Sequence, residues 1–126
     1  MRMPDYTKTG DGPVTIFLLH GSYGAKEYWG PQASFLAELG YRVIAWDAPG
    51  YGVSPLPKDL TLETMAAAAA HLVNELGTDK NVVLGHSLGG IIAPKVAELS
   101  GRVDALIISS AFASLQEMGE EAVKNF

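Results

Sequence analysis

Four short, nearly uninterrupted apolar runs constrain this chain more than any other feature: VTIFLL at 14–19, YRVIAW at 41–46, NVVLG at 81–85 and VDALIIS at 103–109. Each is strand-sized and carries β-branched residues, and turn-forming residues stand at or near the ends. Such runs read as strands covered on both faces. A chain with four of them must find helices to cover two sheet faces, or leave apolar surface in water.

The intervening segments supply those helices. Pro31 suits the first position of a helix over 31–39, and Gly40 the position just past its end. Over 61–76, Thr61 is the expected N-cap and Glu63 an acid in the first turn, while Leu62, Met65, Ala69, Leu72, Val73 and Leu76 share one face. The alanine run at 66–70 lies inside this helix and favours it. A third helix is predicted over 88–99, bent at Pro94 and stopped by Gly101. Residues 6–9 read as a short edge strand, and residues 113–126 as a weakly amphipathic helix. Strand–helix alternation with right-handed crossovers predicts the α/β class: a parallel, doubly wound sheet with helices on both faces. In it, 14–19 is central between 41–46 and 81–85, and 103–109 lies outside 81–85.

At 126 residues the chain is one domain's worth of sequence, 1–126. Its net charge of −5 argues against nucleic acid as a partner. There is no cysteine, hence no disulfide framework or thiolate metal site. No apolar run is long enough to span a bilayer, and the first residues have no signal-peptide pattern, so the expectation is a cytoplasmic protein that acts on a small molecule. No cofactor is implied. The histidine spacing supports no metal site.

The chemistry concentrates at Gly85-His86-Ser87-Leu88-Gly89-Gly90, where a buried strand runs straight into a helix. A serine on such a turn is forced into a strained conformation that projects its hydroxyl from the sheet, and glycines two residues either side avoid collision. The helix N-terminus beneath favours developing negative charge. His86, adjacent to the serine, should point its side chain away from the hydroxyl, packing or shaping the pocket. His20 ends a strand under the loop His20-Gly21-Ser22-Tyr23-Gly24 and should order that loop. His71 falls opposite the apolar face of its helix and reads as a surface residue. Tyr28 and Trp29 pack the start of a helix onto the sheet, or line the pocket mouth. Asp47 to Ser54 reads as a structural loop in which Asp47 caps amides.

Three segments together resemble the N-terminal half of an α/β-hydrolase of the esterase, lactonase and C–C hydrolase type. They are Leu18-Leu19-His20-Gly21-Ser22-Tyr23-Gly24, Asp47-Ala48-Pro49-Gly50-Tyr51-Gly52-Val53-Ser54, and the Gly85–Gly90 elbow. The resemblance implies Ser87 as nucleophile. It also implies an oxyanion hole from the backbone N–H of Leu88 and that of Ser22, with Tyr23 as the alternative donor. Candidate pocket residues are His20, Gly21, His86 and Trp29. The family's triad runs Ser, then Asp or Glu, then His, yet no histidine follows His86. The expectation is therefore a truncated hydrolase domain, with 113–126 as the start of a cap or lid and the chain alone poorly active. Two other readings stay open. One is a non-catalytic relative that binds or dimerises through an uncovered sheet edge. The other is a same-fold acyltransferase or perhydrolase.

Overall fold

A computed structural model describes residues 2–22 and 24–109 of the chain. The expected cap segment at 113–126 lies outside the described residues. Five strands, β1 (Tyr6–Thr9), β2 (Val14–Leu19), β3 (Arg42–Trp46), β4 (Lys80–His86) and β5 (Ala105–Ser109), form one sheet in the order β1-β3-β2-β4-β5. β2 pairs in parallel with both β3 and β4, and β4 pairs in parallel with β5. β1 is the antiparallel edge, with Tyr6 opposite Trp46. The strand order and the parallel core are those predicted from the apolar runs.

Among the described residues three α-helices pack on the sheet: α1 (Gly30–Glu38), α2 (Leu62–Leu76) and α3 (Leu88–Ser100). Successive strand residues point to opposite faces, so β2 feeds two cores. Phe17 and Leu19 join Ile44 and Trp46 beneath Met65, Ala69 and Leu72 of α2 and Ile92, Ala93 and Val96 of α3. Ile16 and Leu18 join Val43 and Ala45 beneath Trp29 and Ala33 at the start of α1. Burying one Leu or Phe side chain is worth roughly 1.5–3 kcal/mol, so the near-uniform apolar runs of β2 and β3 follow from burial on both sides; β5, expected to be covered in the same way, is exposed along its length. The small side chains of Ala66, Ala68, Ala69 and Ala70 are all buried where α2 meets the sheet and α3.

Local differences from the sequence reading have physical causes. Thr61 caps α2 as expected, but its partner is Thr64, and the two close a reciprocal capping box. Leu62 is exposed, not buried: it is the first residue of α2, ahead of the turn at which Met65 enters the core. His71 is partly buried, its Nδ1 4.0 Å from the Glu75 carboxylate, and so is not a fully solvated residue. β5 starts at Ala105 instead of 103, because Asp104 is occupied otherwise. Its carboxylate accepts the Asn81 N–H at 2.8 Å, while its own N–H donates to the Asn81 carbonyl. A 3-10 turn at Lys26–Trp29, which no periodicity announced, precedes α1.

Candidate active site

Parallel strands bring their C-terminal ends to one edge, where open α/β sheets place ligands. Here that edge gathers the ends of β2, β3 and β4 and the loops that leave them. At the end of β4 the chain turns into α3 through Ser87, whose backbone sits at φ 55, ψ −114. Among the described residues it is the only non-glycine with positive φ. Such a conformation in a residue with a Cβ costs of order 1–3 kcal/mol and clusters at functional sites.

The glycines around Ser87 are required by close approach. A Cβ on Gly85 would collide with the Gly89 carbonyl and lie 2.6 Å from the Gly90 nitrogen. A Cβ on Gly89 would collide with the Leu19 carbonyl of the central strand. Both clashes are with backbone, so neither is relieved by a rotamer change. Gly21 faces the serine directly: a Cβ there would stand 2.8 Å from Ser87 Cβ and 3.4 Å from its Oγ. The hydroxyl of Ser87 thus lies against the backbone of the loop after β2.

Leu88 follows Ser87 in the chain, and Ser22 lines the cleft with it. Ser87's own N–H is spent on the Ser109 carbonyl of β5 at 2.9 Å. Leu88, as the first residue of α3, has an N–H with no intrahelical acceptor. In the loop after β2, the Gly24 N–H closes a turn onto the Gly21 carbonyl at 3.0 Å, which leaves the exposed Ser22 at the turn's second position. Tyr23, the alternative donor, lies outside the described residues.

His20 holds this loop in place from beneath. The side chain is buried, and its Nδ1–H donates to the Gly21 carbonyl at 2.8 Å. Its Nε2 accepts the Ala48 N–H at 3.0 Å. Those two bonds define the neutral Nδ1–H tautomer, and burial pushes its pKa below the usual histidine value. With both nitrogens engaged, His20 has no free position from which to take a proton from Ser87.

A second strut joins the same loops from the side. Asp47, buried at the end of β3, accepts the Lys26 N–H at 2.8 Å and the Lys26 ammonium at 2.9 Å. Lys26 also reaches Asp5 at 3.0 Å, and the two carboxylates hold its pKa well above the usual lysine range. Gly52 closes on Asp47 so tightly that a Cβ would meet the carboxylate. Ser54 completes the tie by donating to the Asp47 carbonyl at 2.6 Å and accepting the Asp5 N–H at 2.8 Å. Asp47 therefore pins the 3-10 turn as well as its own loop. The sequence marked Asp47 as a cap, but nothing in its spacing pointed to Lys26.

The cleft beside Ser87 has a volume of about 160 Å³ and is lined by Gly21, Ser22, Gly24, Tyr28, His86 and Ser87. His86 stacks on Tyr28 with ring centroids 5.7 Å apart, and Trp29 meets His86 edge-on at 6.2 Å. Two candidate pocket residues fall elsewhere. Trp29 is buried in the core under α1, where its large ring is better placed than in water, and His20 lies under the loop. Tyr28 takes the wall instead. Among the described residues no hydrogen bond joins His86, whose ring stacks on Tyr28, or His71, on α2, to Ser87. Among the described residues no cluster of three or more metal-ligating side chains occurs, and no helix is long and apolar enough to cross a membrane.

A family model described as alpha/beta hydrolase fold matches residues 14–126. The chain is 37% identical over 93 residues to the dihydrolipoyllysine-residue acetyltransferase component of an acetoin cleaving system from Cupriavidus necator, covering 73% of this chain and 25% of that protein. It is 36% identical over 89 residues to the putative carbamate hydrolase RutD of Enterobacter cloacae, covering 69% of this chain and 33% of that protein. Among solved structures, a marine microorganism esterase superposes with a TM-score of 0.76 at 26% identity, over 84% of this chain and 41% of the esterase. The chain thus spans well under half the length of these relatives.

Proposed function

The chain belongs to the α/β hydrolase fold family, and on that premise we propose that Ser87 is the nucleophile of a serine hydrolase acting on a small ester, lactone or related acyl compound. The observation that carries this reading is the strained backbone of Ser87 at the β4–α3 turn, with its hydroxyl against Gly21. In the proposed reaction Oγ attacks the acyl carbon as a base removes its proton. The oxyanion accepts the N–H groups of Leu88 and Ser22, and the alcohol leaves with a proton. Water then releases the acid from the acyl-enzyme. One preorganised donor of this kind is worth roughly 3 kcal/mol in the transition state.

The base is the missing component. His20 has both nitrogens engaged, the His86 ring is stacked on Tyr28, and no histidine follows it in the sequence. The proposal assigns the acid and the histidine to polypeptide other than these 126 residues. Loss of such a histidine costs on the order of a millionfold in turnover. The 126-residue chain should therefore react slowly with a fluorophosphonate probe, react faster with imidazole supplied as external base, and not react as Ser87→Ala. Mass spectrometry locates the adduct. Equal labelling of wild type and Ser87→Ala would overturn the proposal.

A second reading rests on β5, where Leu106, Ile107 and Ile108 are 38%, 49% and 46% exposed. This edge suits pairing with another strand, including a second copy of the chain. Imidazole-independent silence at Ser87, together with a dimer in sedimentation, would favour a binding or dimerisation module. An acyltransferase or perhydrolase would share the serine and the same labelling.

A further inference from the structure

Resting on the serine-hydrolase reading, we infer that Lys26 is a positioning residue for Ser87: its ammonium clamps the turn that carries Ser22, and the reactivity of the serine depends on that charge. The turn is short and its two ends are fixed separately. His20 stands just before it, and Lys26 follows two residues after the bond that closes it, from the Gly24 N–H to the Gly21 carbonyl. Both ends rest on consecutive residues after β3. The Ala48 N–H donates to His20 Nε2 at 3.0 Å, and the Asp47 carboxylate accepts the Lys26 N–H at 2.8 Å and its ammonium at 2.9 Å. Releasing either end changes the span that the turn must bridge.

The two ends differ in kind. His20 is held by hydrogen bonds of a neutral ring, whereas the Lys26 end is an ion pair in which the Asp47 side chain is 1% exposed and that of Lys26 18%. Removing one partner of a buried pair leaves the other charge uncompensated, and that loss exceeds the net worth of the pair. Water must then reach Asp47, and the turn bonded to it through Lys26 is displaced.

Asp5 extends the clamp to the segment before β1. Its carboxylate lies 3.0 Å from the Lys26 ammonium, and its carbonyl accepts the Asp47 N–H at 2.9 Å. Glu27, 3.4 Å from the same ammonium and largely exposed, is a surface partner of little weight. Lys26 is thus the common partner of residues from three separate segments. None of Asp5, Lys26 and Asp47 lines the cleft beside Ser87, so the clamp acts through the backbone of the turn.

The chain contains no cysteine, so Lys26→Cys in the full 126-residue chain carries a single thiol. Bromoethylamine then restores an ammonium on an arm of lysine length, and iodoacetamide adds a neutral amide instead. Imidazole-assisted fluorophosphonate labelling of Ser87 is measured over a range of probe concentrations. Lys26→Cys should lower the maximal rate about 10- to 100-fold with little change in probe affinity, because a misplaced donor is missed in the transition state. Bromoethylamine should restore the rate, and iodoacetamide should not. Amide exchange by NMR gives a readout independent of Ser87. In Lys26→Cys the Gly24 N–H should accelerate about tenfold more than the Gly77 N–H, which bonds to the Val73 carbonyl at the end of α2. Asp5→Asn leaves the buried pair intact and serves if Lys26→Cys does not fold; it should speed Gly24 exchange about two- to fivefold. Gly24 exchange unchanged in both variants, or a rate restored equally by the neutral amide, would overturn the inference. Undiminished labelling of Lys26→Cys would remove the inference and leave the serine reading. Gly24 exchange that follows the charge, with Ser87 unlabelled in every form, would remove the serine reading and leave the clamp.

Discussion

Replacing Ser87 by glycine should make the protein more stable while removing its proposed reactivity. Ser87 sits at φ 55, ψ −114, a region that glycine enters freely and residues with a Cβ avoid. The strain is of order 1–3 kcal/mol. Glycine forfeits about 0.5–1 kcal/mol through the greater freedom of its unfolded chain. The hydroxyl itself contributes little: Ser87 is the N-cap of α3 yet makes no side-chain cap bond. Ser87→Ala keeps the Cβ and the strain, so it isolates the hydroxyl and should be nearly neutral. The expected order is Ser87→Gly above Ser87→Ala by about 0.5–2 kcal/mol. With an unfolding entropy of about 2.1 cal/mol/K per residue, a chain of this size has roughly 0.26 kcal/mol/K, so Tm should rise by about 2–8 °C. Urea unfolding of the three proteins, followed by circular dichroism, should give equal slopes and a higher midpoint for the glycine variant. A glycine variant no more stable than the alanine variant would refute the claim that strain is stored at the elbow.

Stability should also fall in mild acid through His20. Its folded pKa lies below the usual 6.5 because of burial, so just below pH 6.5 the unfolded chain binds a proton that the folded chain does not. The contribution is intact above pH 6.5 and is lost as pH falls toward the folded value, by at most about 1.4 kcal/mol per pH unit; urea midpoints from pH 7.5 to 5 should show this slope, and His20→Asn should flatten it. Gly89→Ala should cost about 1–3 kcal/mol, since its Cβ meets the Leu19 carbonyl of the central strand. A loss under 0.5 kcal/mol in urea unfolding would mean that α3 shifts without resistance.

Periodicity and local chemistry carried most of the fold. Runs such as VTIFLL could be buried only if both sheet faces were covered, and a parallel sheet with right-handed crossovers is the simple solution. The Gly85-x-Ser87-x-Gly89 spacing likewise named the elbow, because the steric demand on Gly85 is local to the turn, where it meets Gly89 and Gly90, whereas the demand on Gly89 comes from Leu19 of the central strand and is met only in space. What the sequence could not determine were the partners that meet only in space. Lys26 and Asp47 lie 21 residues apart, and the bond between them depends on where β3 ends beside the 3-10 turn. His20 finds Ala48 by the same route, at a separation of 28 residues. The exchange of Trp29 for Tyr28 at the cleft wall has the same origin. Adjacent aromatic residues are equivalent by composition, and only the packing of the turn onto β2 and β3 decides which ring is buried in the core and which one faces Ser87.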